Sequence, residues 1–259
     1  MLDKTALVTG STGGLGLAIA ERLVREGCQV MLHGLEPAEA MAETLAQLNG
    51  IGSGAAAYHG ADIADATGVA ALVAAAEAAF GGVDILVNNA VVRHFAPVES
   101  YDVDRWDEAL AVNLSAPFHA IRAVLPGMRA RGYGRIINLG SVYSLFASPS
   151  RIDYVTTKTG LMGMTRVVAL EVAGTEISCN LICPGALPTP TMSARIEALA
   201  KAEGLSIEEA TRRFLSAKQP GGRFIAPEAV CGLIAFLAMP EARDINGAAL
   251  PVDAGWSIC

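Results

Sequence analysis

Charge is scarce in this chain: Asp, Glu, Lys and Arg together make up 17% of its 259 residues, and the cations are the smaller share, 19 against 26 acids, for a net charge of -7. That balance repels a phosphate backbone, so nucleic acid is not expected as a partner. Cysteine is equally thin. Cys28, Cys179, Cys183, Cys231 and Cys259 form an odd, scattered set with no C-x-x-C, which argues against a disulfide framework or a zinc site and predicts thiols in a reducing compartment. No cluster of Cys and His has metal-ligand spacing, so no metal is expected. Long apolar runs are lacking too. The Ala-rich stretch Val69–Phe80 is interrupted by Glu77 and falls short of the roughly 20 apolar residues that span a bilayer. Lys4 leads directly into the strand-like Thr5–Thr9 with nothing resembling a signal peptide, and a cytoplasmic location without membrane contact is expected.

What is present is largely apolar: 52% hydrophobic residues, with 27 Gly, enough for a sizeable core and incompatible with a disordered or collagen-like chain. Continuous apolar runs at Thr5–Thr9, Gln29–His33, Ala56–Gly60, Ile85–Asn89, Arg135–Leu139, Ser178–Ile182 and Ala249–Val252 suit parallel strands covered on both faces. Helical patterns at Leu15–Glu26, Pro37–Leu48, Thr67–Phe80, Val103–Arg131, Tyr154–Ala173 and Pro227–Met239 are long enough for right-handed crossovers. The alternation predicts an open, doubly wound α/β sheet of seven parallel strands. With no linker and no repeat of 20 to 50 residues, residues 1–259 read as a single domain. One segment departs from the rhythm. Between Thr189 and Gly222 two helical stretches, about Met192–Ala202 and Ser206–Ser216, replace one crossover. They follow the carboxyl end of a strand, where ligands bind in such sheets; a two-helix lid is expected, a surface elaboration being the alternative.

The first strand runs into Thr9-Gly10-Ser11-Thr12-Gly13-Gly14-Leu15-Gly16 and then a helix. A strand, a glycine turn and a helix N-terminus present bare backbone N–H groups and the positive end of a helix dipole to a diphosphate. Glycine matters there because a Cβ blocks close approach. The spacing of Gly10, Gly14 and Gly16 resembles the T-G-x-x-x-G-x-G turn of the short-chain dehydrogenase/reductase family, and the similarity continues downstream in the family's order. Asn88-Asn89-Ala90 resembles its N-N-A-G signature, although Val91 stands at the place of the glycine, and Pro184-Gly185-Ala186-Leu187-Pro188-Thr189 resembles its P-G-x-x-x-T loop. The resemblance implies a Rossmann-type sheet. It implies a dinucleotide held by Gly10, Thr12, Gly14, Leu15 and Gly16 at the turn, Leu35, Asp62 and Ile63 around the adenosine, Asn89 and Ala90 beside the ribose, and Pro184, Gly185, Leu187 and Thr189 around the nicotinamide.

Charge also speaks to the choice of dinucleotide. Discrimination for NADP needs a cation near the 2'-phosphate. Ser11, Thr12 and Gly13 are uncharged, no Lys or Arg occurs between Arg25 and Arg93, and Glu36 follows the second strand. NAD is therefore expected over NADP.

Tyr154 and Lys158 stand four residues apart, on one helix face, so an ammonium can sit beside a phenol. A free phenol has a pKa of about 10, and a neighbouring cation favours the phenolate. Tyr154 then acts as base in alcohol oxidation and as acid in ketone reduction. Ser141, at the end of the fifth strand, is placed to hydrogen-bond the reacting oxygen, and Lys158 to reach the nicotinamide ribose. The family resemblance assigns Ser141, Tyr154 and Lys158 as catalytic and adds Asn113, which it implies anchors a water relay to the lysine.

Within the family the similarity is greatest to the branch acting on short 3-hydroxy acids, and implies a carboxylate site at Arg93, Tyr143, Arg151 and Gln219. Two guanidinium groups fork well onto a carboxylate, and they also suit a longer or dibasic acid; solvated surface charges are the alternative. The expectation is an NAD-dependent enzyme interconverting a secondary alcohol and a ketone on a 3-hydroxybutyrate-like or larger hydroxy acid. Competing readings are an NADP-dependent 3-oxoacyl thioester or other carbonyl reductase, and a non-catalytic NAD-binding module. The family also implies a homotetramer.

Overall fold

The computed structural model describes residues 3–216 and 218–258; Cys259, expected as a thiol, lies outside them. In chain order the elements are β1 Thr5–Val8, α1 Gly14–Arg25, β2 Gln29–Gly34, α2 Ala42–Asn49, β3 Ala55–Gly60, α3 Ala66–Phe80, β4 Ile85–Asn88, α4 Val103–Leu110, α5 Ala116–Arg131, β5 Gly134–Leu139, α6 Ile152–Glu171, β6 Ile177–Pro184, α7 Pro190–Glu203, α8 Ile207–Ser216, α9 Pro227–Leu237 and β7 Ala249–Val252. The strands form one parallel sheet in the order β3-β2-β1-β4-β5-β6-β7. The chain winds outward from β1 to β3, returns to β4 on the other side of β1, and continues to β7. That reversal between β1 and β4 is the switch point at which such sheets open a crevice.

The apolar runs are explained by burial on both faces. Every residue of β1, β4, β5 and β6 is buried. On one face Ile19, Leu23 and Val24 of α1 and Val230 and Ile234 of α9 pack against the sheet. On the other, Leu72 and Val73 of α3 meet Ile121 and Val124 of α5. A buried side chain of this size contributes about 1.5–3 kcal/mol relative to exposure. Cys28, Cys179, Cys183 and Cys231 are all buried, and burial raises the pKa of each. No helix among the described residues is long and apolar enough to cross a membrane, and none of their His, Cys, Asp and Glu groups could hold a metal ion.

Two expected helices are subdivided. The stretch from Pro37 opens with a 3-10 turn, Ala38–Met41, before α2. The stretch from Val103 is interrupted by a π-helical turn, Ala111–Ser115, between α4 and α5. Pro117 lacks the N–H that an α-helix would offer to the Asn113 carbonyl, and the Asn113 side chain is engaged outside the helix, so the regular ladder gives way there.

The insertion consists of α7 and α8, joined through Gly204 in the left-handed conformation (φ 66°). Ser206 and Glu209 cap α8 reciprocally: the Ser206 N–H donates to the Glu209 carboxylate at 3.0 Å and the Glu209 N–H to the Ser206 hydroxyl at 3.2 Å, a capping box. Ile196, Ala200 and Ala210, with Leu199, Leu205, Phe214 and Phe224, form a small core separate from those flanking the sheet. The insertion is thus a packed unit seated at the carboxyl end of β6.

Candidate active site

A cleft of about 960 Å³ opens at the carboxyl ends of the strands, bounded by the first glycine turn, the ends of β4 and β5, the start of α6, and α7. Its two halves are built differently.

The first half is a backbone cradle. Gly10 adopts φ 62°, and a Cβ there would lie 2.8 Å from the Ala90 Cα. At Gly16 a Cβ would fall 2.1 Å from the Gly10 carbonyl oxygen. The turn is tied to the end of β4: the Asn89 amide donates to the carbonyls of Thr9 and Gly10, both at 2.9 Å, while the Thr9 hydroxyl accepts from the N–H groups of Asn89 at 3.0 Å and Ala90 at 3.1 Å. These bonds give the N-N-A motif its physical meaning, since it fixes the floor of the glycine turn. Gly10, Thr12, Leu15 and Gly16 border the cleft, whereas Gly14 starts α1. A Cβ at Gly16 has no room, so this concave backbone lets a diphosphate come close to bare N–H groups.

His33 was legible only as a strand residue, yet it underpins the turn. Its Nδ1 accepts from the Gly10 N–H at 3.1 Å, and its Nε2 faces the Ala61 carbonyl at 2.9 Å. One nitrogen must accept and the other donate, which defines a neutral ring protonated on Nε2. Burial lowers the His33 pKa in agreement. Farther along, Leu35, Glu36, Asp62 and Ile63 line the cleft beyond the glycine turn. The Thr12 hydroxyl donates to the Glu36 carboxylate at 3.0 Å, and Asp62 accepts from the Ala64 N–H at 2.9 Å. Val91, at the family's glycine position, also faces the cleft and is 43% exposed, so the backbone accommodates its side chain.

At the opposite end, Pro184, Gly185, Leu187 and Thr189 form the wall. The Thr189 hydroxyl accepts from the Met192 N–H at 3.4 Å as the cap of α7, leaving its own O–H to donate into the cleft. Gln219, expected at the substrate, is placed elsewhere. It is fully buried, its Oε1 accepts from the Ala186 N–H at 3.0 Å, and its Nε2 donates to the Arg223 carbonyl. Both ends of the amide are spent on holding the loop after β6 against the chain leaving α8, and the residue does not border the cleft.

The second half of the cleft is side-chain chemistry. Ser141 begins a 3-10 turn, Val142–Ser144, after β5; its hydroxyl accepts from the Tyr143 N–H at 3.2 Å and acts on the Tyr154 phenol, favouring its ionised form. Tyr154 and Lys158 lie one turn apart on α6, with Nζ 5.7 Å from the phenol ring centroid. The electrostatics differ from the sequence expectation. Burial pushes the Tyr154 phenol up, the Ser141 hydrogen bond opposes it, and the cations that pull it down are Arg93 and Arg151. Lys158 donates to the Leu139 carbonyl at 2.5 Å, and burial lowers its pKa to about 8. A group buried this deeply loses its water shell, so the ammonium leans on a carbonyl dipole instead of acting mainly on the phenol.

Asn113 does not border the cleft. Its amide grips Val92, accepting from that N–H at 2.9 Å and donating to that carbonyl at 2.8 Å, and reaches Thr157 of α6 at 3.4 Å. Asp153, buried beside Tyr154, accepts from the His94 N–H at 3.0 Å, and Ala96 bridges to Arg151. Three anchors thus hold the loop that presents Arg93. The Arg151 guanidinium lies 4.5 Å over the Phe95 ring and 5.1 Å over the Tyr143 ring, which fixes its plane at the cleft. Asp153 carried no motif, and neither did Met192, Arg195 or Trp256; these three line this half together with Lys218, the residue before Gln219.

These cations give a pH prediction. Alcohol oxidation needs the phenolate of Tyr154, and Arg151 stabilises that charged form, so Arg151→Gln raises the phenol pKa. The alkaline-rising limb of kcat/KM for oxidation is expected to move to higher pH in the variant, because that limb reports the free enzyme's base. A limb that stays in place or moves down removes Arg151 from the field at Tyr154.

A dinucleotide cradle joined to a Ser, Tyr and Lys proton-transfer centre defines an oxidoreductase acting on an alcohol or a ketone. Residues 4–200 match the family described as short chain dehydrogenase, and the chain belongs to that family. It is 43% identical over 254 residues to D-beta-hydroxybutyrate dehydrogenase of Cupriavidus necator, covering 98% of this chain and 97% of the relative. It is 40% identical over 256 residues to the enzyme of the same name from Rhizobium meliloti, covering 99% of each. Among solved structures it resembles L-sorbose reductase from Gluconobacter frateurii, complexed with NADPH and L-sorbose, with a TM-score of 0.92 and 30% identity over 100% of this chain and 98% of the other. The fold, a seven-stranded parallel Rossmann-type sheet, and the enzyme class agree with the sequence expectation.

Proposed function

We propose that this enzyme uses NAD to interconvert a short 3-hydroxy acid, of the size of 3-hydroxybutyrate, and the matching 3-oxo acid. The observation that carries the reading is the pair Arg93 and Arg151, which line the cleft together with Tyr154 and whose charges favour its phenolate. Two guanidinium groups beside the reacting oxygen seat a carboxylate by charge-assisted hydrogen bonds and set the hydroxyl at a fixed offset from it.

In oxidation Tyr154 takes the hydroxyl proton, Ser141 donates to the same oxygen, and Lys158 holds the ribose beside them. Asn113 acts by fixing the loop after β4 and α6, and in this reading it also anchors the proton relay. A bound dinucleotide would supply the hydride acceptor for this direction and the hydride donor for reduction. Gly10, Gly16, Asn89, Ala90 and Thr189 hold it, with Asp62 and Ile63 at the adenine. Glu36, hydrogen-bonded to Thr12, repels a 2'-phosphate, and no cation lines that end of the cleft among the described residues; both support NAD. The separate small core of α7 and α8 supports a lid that closes over the substrate. Exposed Phe118, Val167 and Leu170 on α5 and α6 support burial of these helices in a homotetramer.

The test is a turnover screen by absorbance at 340 nm. NAD with 3-hydroxybutyrate is expected to exceed NAD with 2-butanol in kcat/KM by about a hundredfold, the worth of one charge-assisted carboxylate site, and to exceed NADP with the same acid. Equal rates for acid and uncharged alcohol, or faster reduction of a 3-oxoacyl thioester by NADPH, would overturn it.

A further inference from the structure

Besides Lys158, four cations enter the substrate half of the cleft: Arg93, Arg151, Arg195 and Lys218. Arg93 and Arg151 act on the phenol. The other two come from the insertion. Thr189, Met192 and Arg195 recur at intervals of three along α7 and all line the cleft, so one helix face carries the Arg195 side chain inward. Lys218 follows α8, with its Nζ 5.9 Å over the Trp256 ring. Trp256 in turn lies edge-on to Tyr143 at 5.8 Å, and Tyr143 to Tyr154 at 6.2 Å. Lys218 therefore stands at the far end of a chain of rings that starts at the reacting phenol.

None of the four is ion-paired to a carboxylate among the described residues, whereas the outward-facing Arg212 and Arg213 of α8 pair with Glu208 and Glu203. Glu108 is the acid on this side of the cleft, and it is engaged by His94 Nε2 at 3.1 Å. A cleft carrying four unpaired cations in a chain of net charge -7 concentrates anions at its mouth. A monocarboxylate answers only the inner pair and leaves the two outer cations without an anion.

We propose that the substrate carries two anionic groups, a short hydroxy diacid, with one carboxylate between Arg93 and Arg151 beside Tyr154 and the second received by Arg195 and Lys218 from the insertion. This rests on the hydroxy-acid reading given above and specifies its class. The second carboxylate draws α7 and α8 inward, so the outer pair ties closure of the insertion to the charge of the substrate's far end.

The experiment is calorimetric titration of the NAD-loaded enzyme with glutarate and with butyrate, unreactive acids that differ only in the far carboxylate. Glutarate is expected to bind about tenfold or more tightly than butyrate. In Arg195→Gln and in Lys218→Gln that advantage shrinks to about threefold or less, while the affinities for butyrate and for NAD hold. Equal binding of the two acids would overturn the proposal. So would variants that weaken NAD and both acids alike, since the pair would then serve the dinucleotide's diphosphate. Turnover separates the two readings: with 3-hydroxyglutarate oxidised faster than 3-hydroxybutyrate both stand. A glutarate advantage without oxidation of either hydroxy acid leaves the two-anion site intact and removes the hydroxy-acid chemistry.

Discussion

Tyr154→Phe is expected to lower kcat by about 10²- to 10⁴-fold, the usual worth of a positioned acid or base, while the dissociation constant for NAD changes by no more than about twofold. The substitution keeps the ring against Tyr143 and removes only the oxygen that exchanges the proton. The upward push of burial on this phenol keeps it protonated, the form that reduction needs. Oxidation is the harder direction, and there the Ser141 hydrogen bond and the two guanidinium groups do the stabilising. The measurement is steady-state kinetics in both directions beside fluorescence titration of the cofactor. A fully active Tyr154→Phe would end its role in proton transfer, and parallel loss of cofactor binding would show that the hydroxyl serves to hold the dinucleotide.

Gly16→Ala is expected to raise the NAD dissociation constant by about tenfold or more and to cost about 1–3 kcal/mol of stability by overpacking. The added Cβ meets the Gly10 carbonyl oxygen at 2.1 Å and the Asn89 amide nitrogen at 2.6 Å. Both are fixed, one by backbone and the other by its two bonds to Thr9 and Gly10, so neither can yield. Gly13→Ala is the control, since a Cβ there meets nothing within 4 Å and its extended backbone, with φ -165°, suits any residue. Its melting temperature is expected to stay within about 0.5 kcal/mol equivalent of the parent. Thermal unfolding with and without NAD distinguishes the two variants, and a Gly16→Ala protein that melts and binds like the parent would refute the close-approach argument.

The strands were legible because a parallel sheet buried on both faces requires continuous apolar runs, and few other structures do. Tyr154 and Lys158 were legible because their proximity is set by one helical turn. The interruption at Asn113 was harder, since it depends on a side chain bound to Val92, 21 residues earlier. His33 looked like one more strand residue; its role comes from the turn after β1 and the end of β3 arriving on either side of it. Gln219 was misplaced for a related reason. Its position after the insertion is local, but the direction of its amide is decided by the N–H of Ala186, 33 residues away. The field at Tyr154 was also misjudged, because spacing brings Lys158 near the phenol without showing that Leu139 offers the ammonium a closer partner. Arg195 and Trp256 belong to no motif, and they share the cleft with Lys218 only when the insertion and the carboxyl-terminal turn converge.

The knot that Asn89 and Thr9 make beneath the glycine turn joins residues 80 positions apart. A nucleotide pocket of that kind cannot ripen early on a nascent chain, because its floor is delivered by a strand that must first insert beside β1. Pairings so far apart in sequence form more slowly than local ones. Capture of the dinucleotide therefore certifies that the central strands have already met, and the ligand's binding energy secures both halves of the sheet at once.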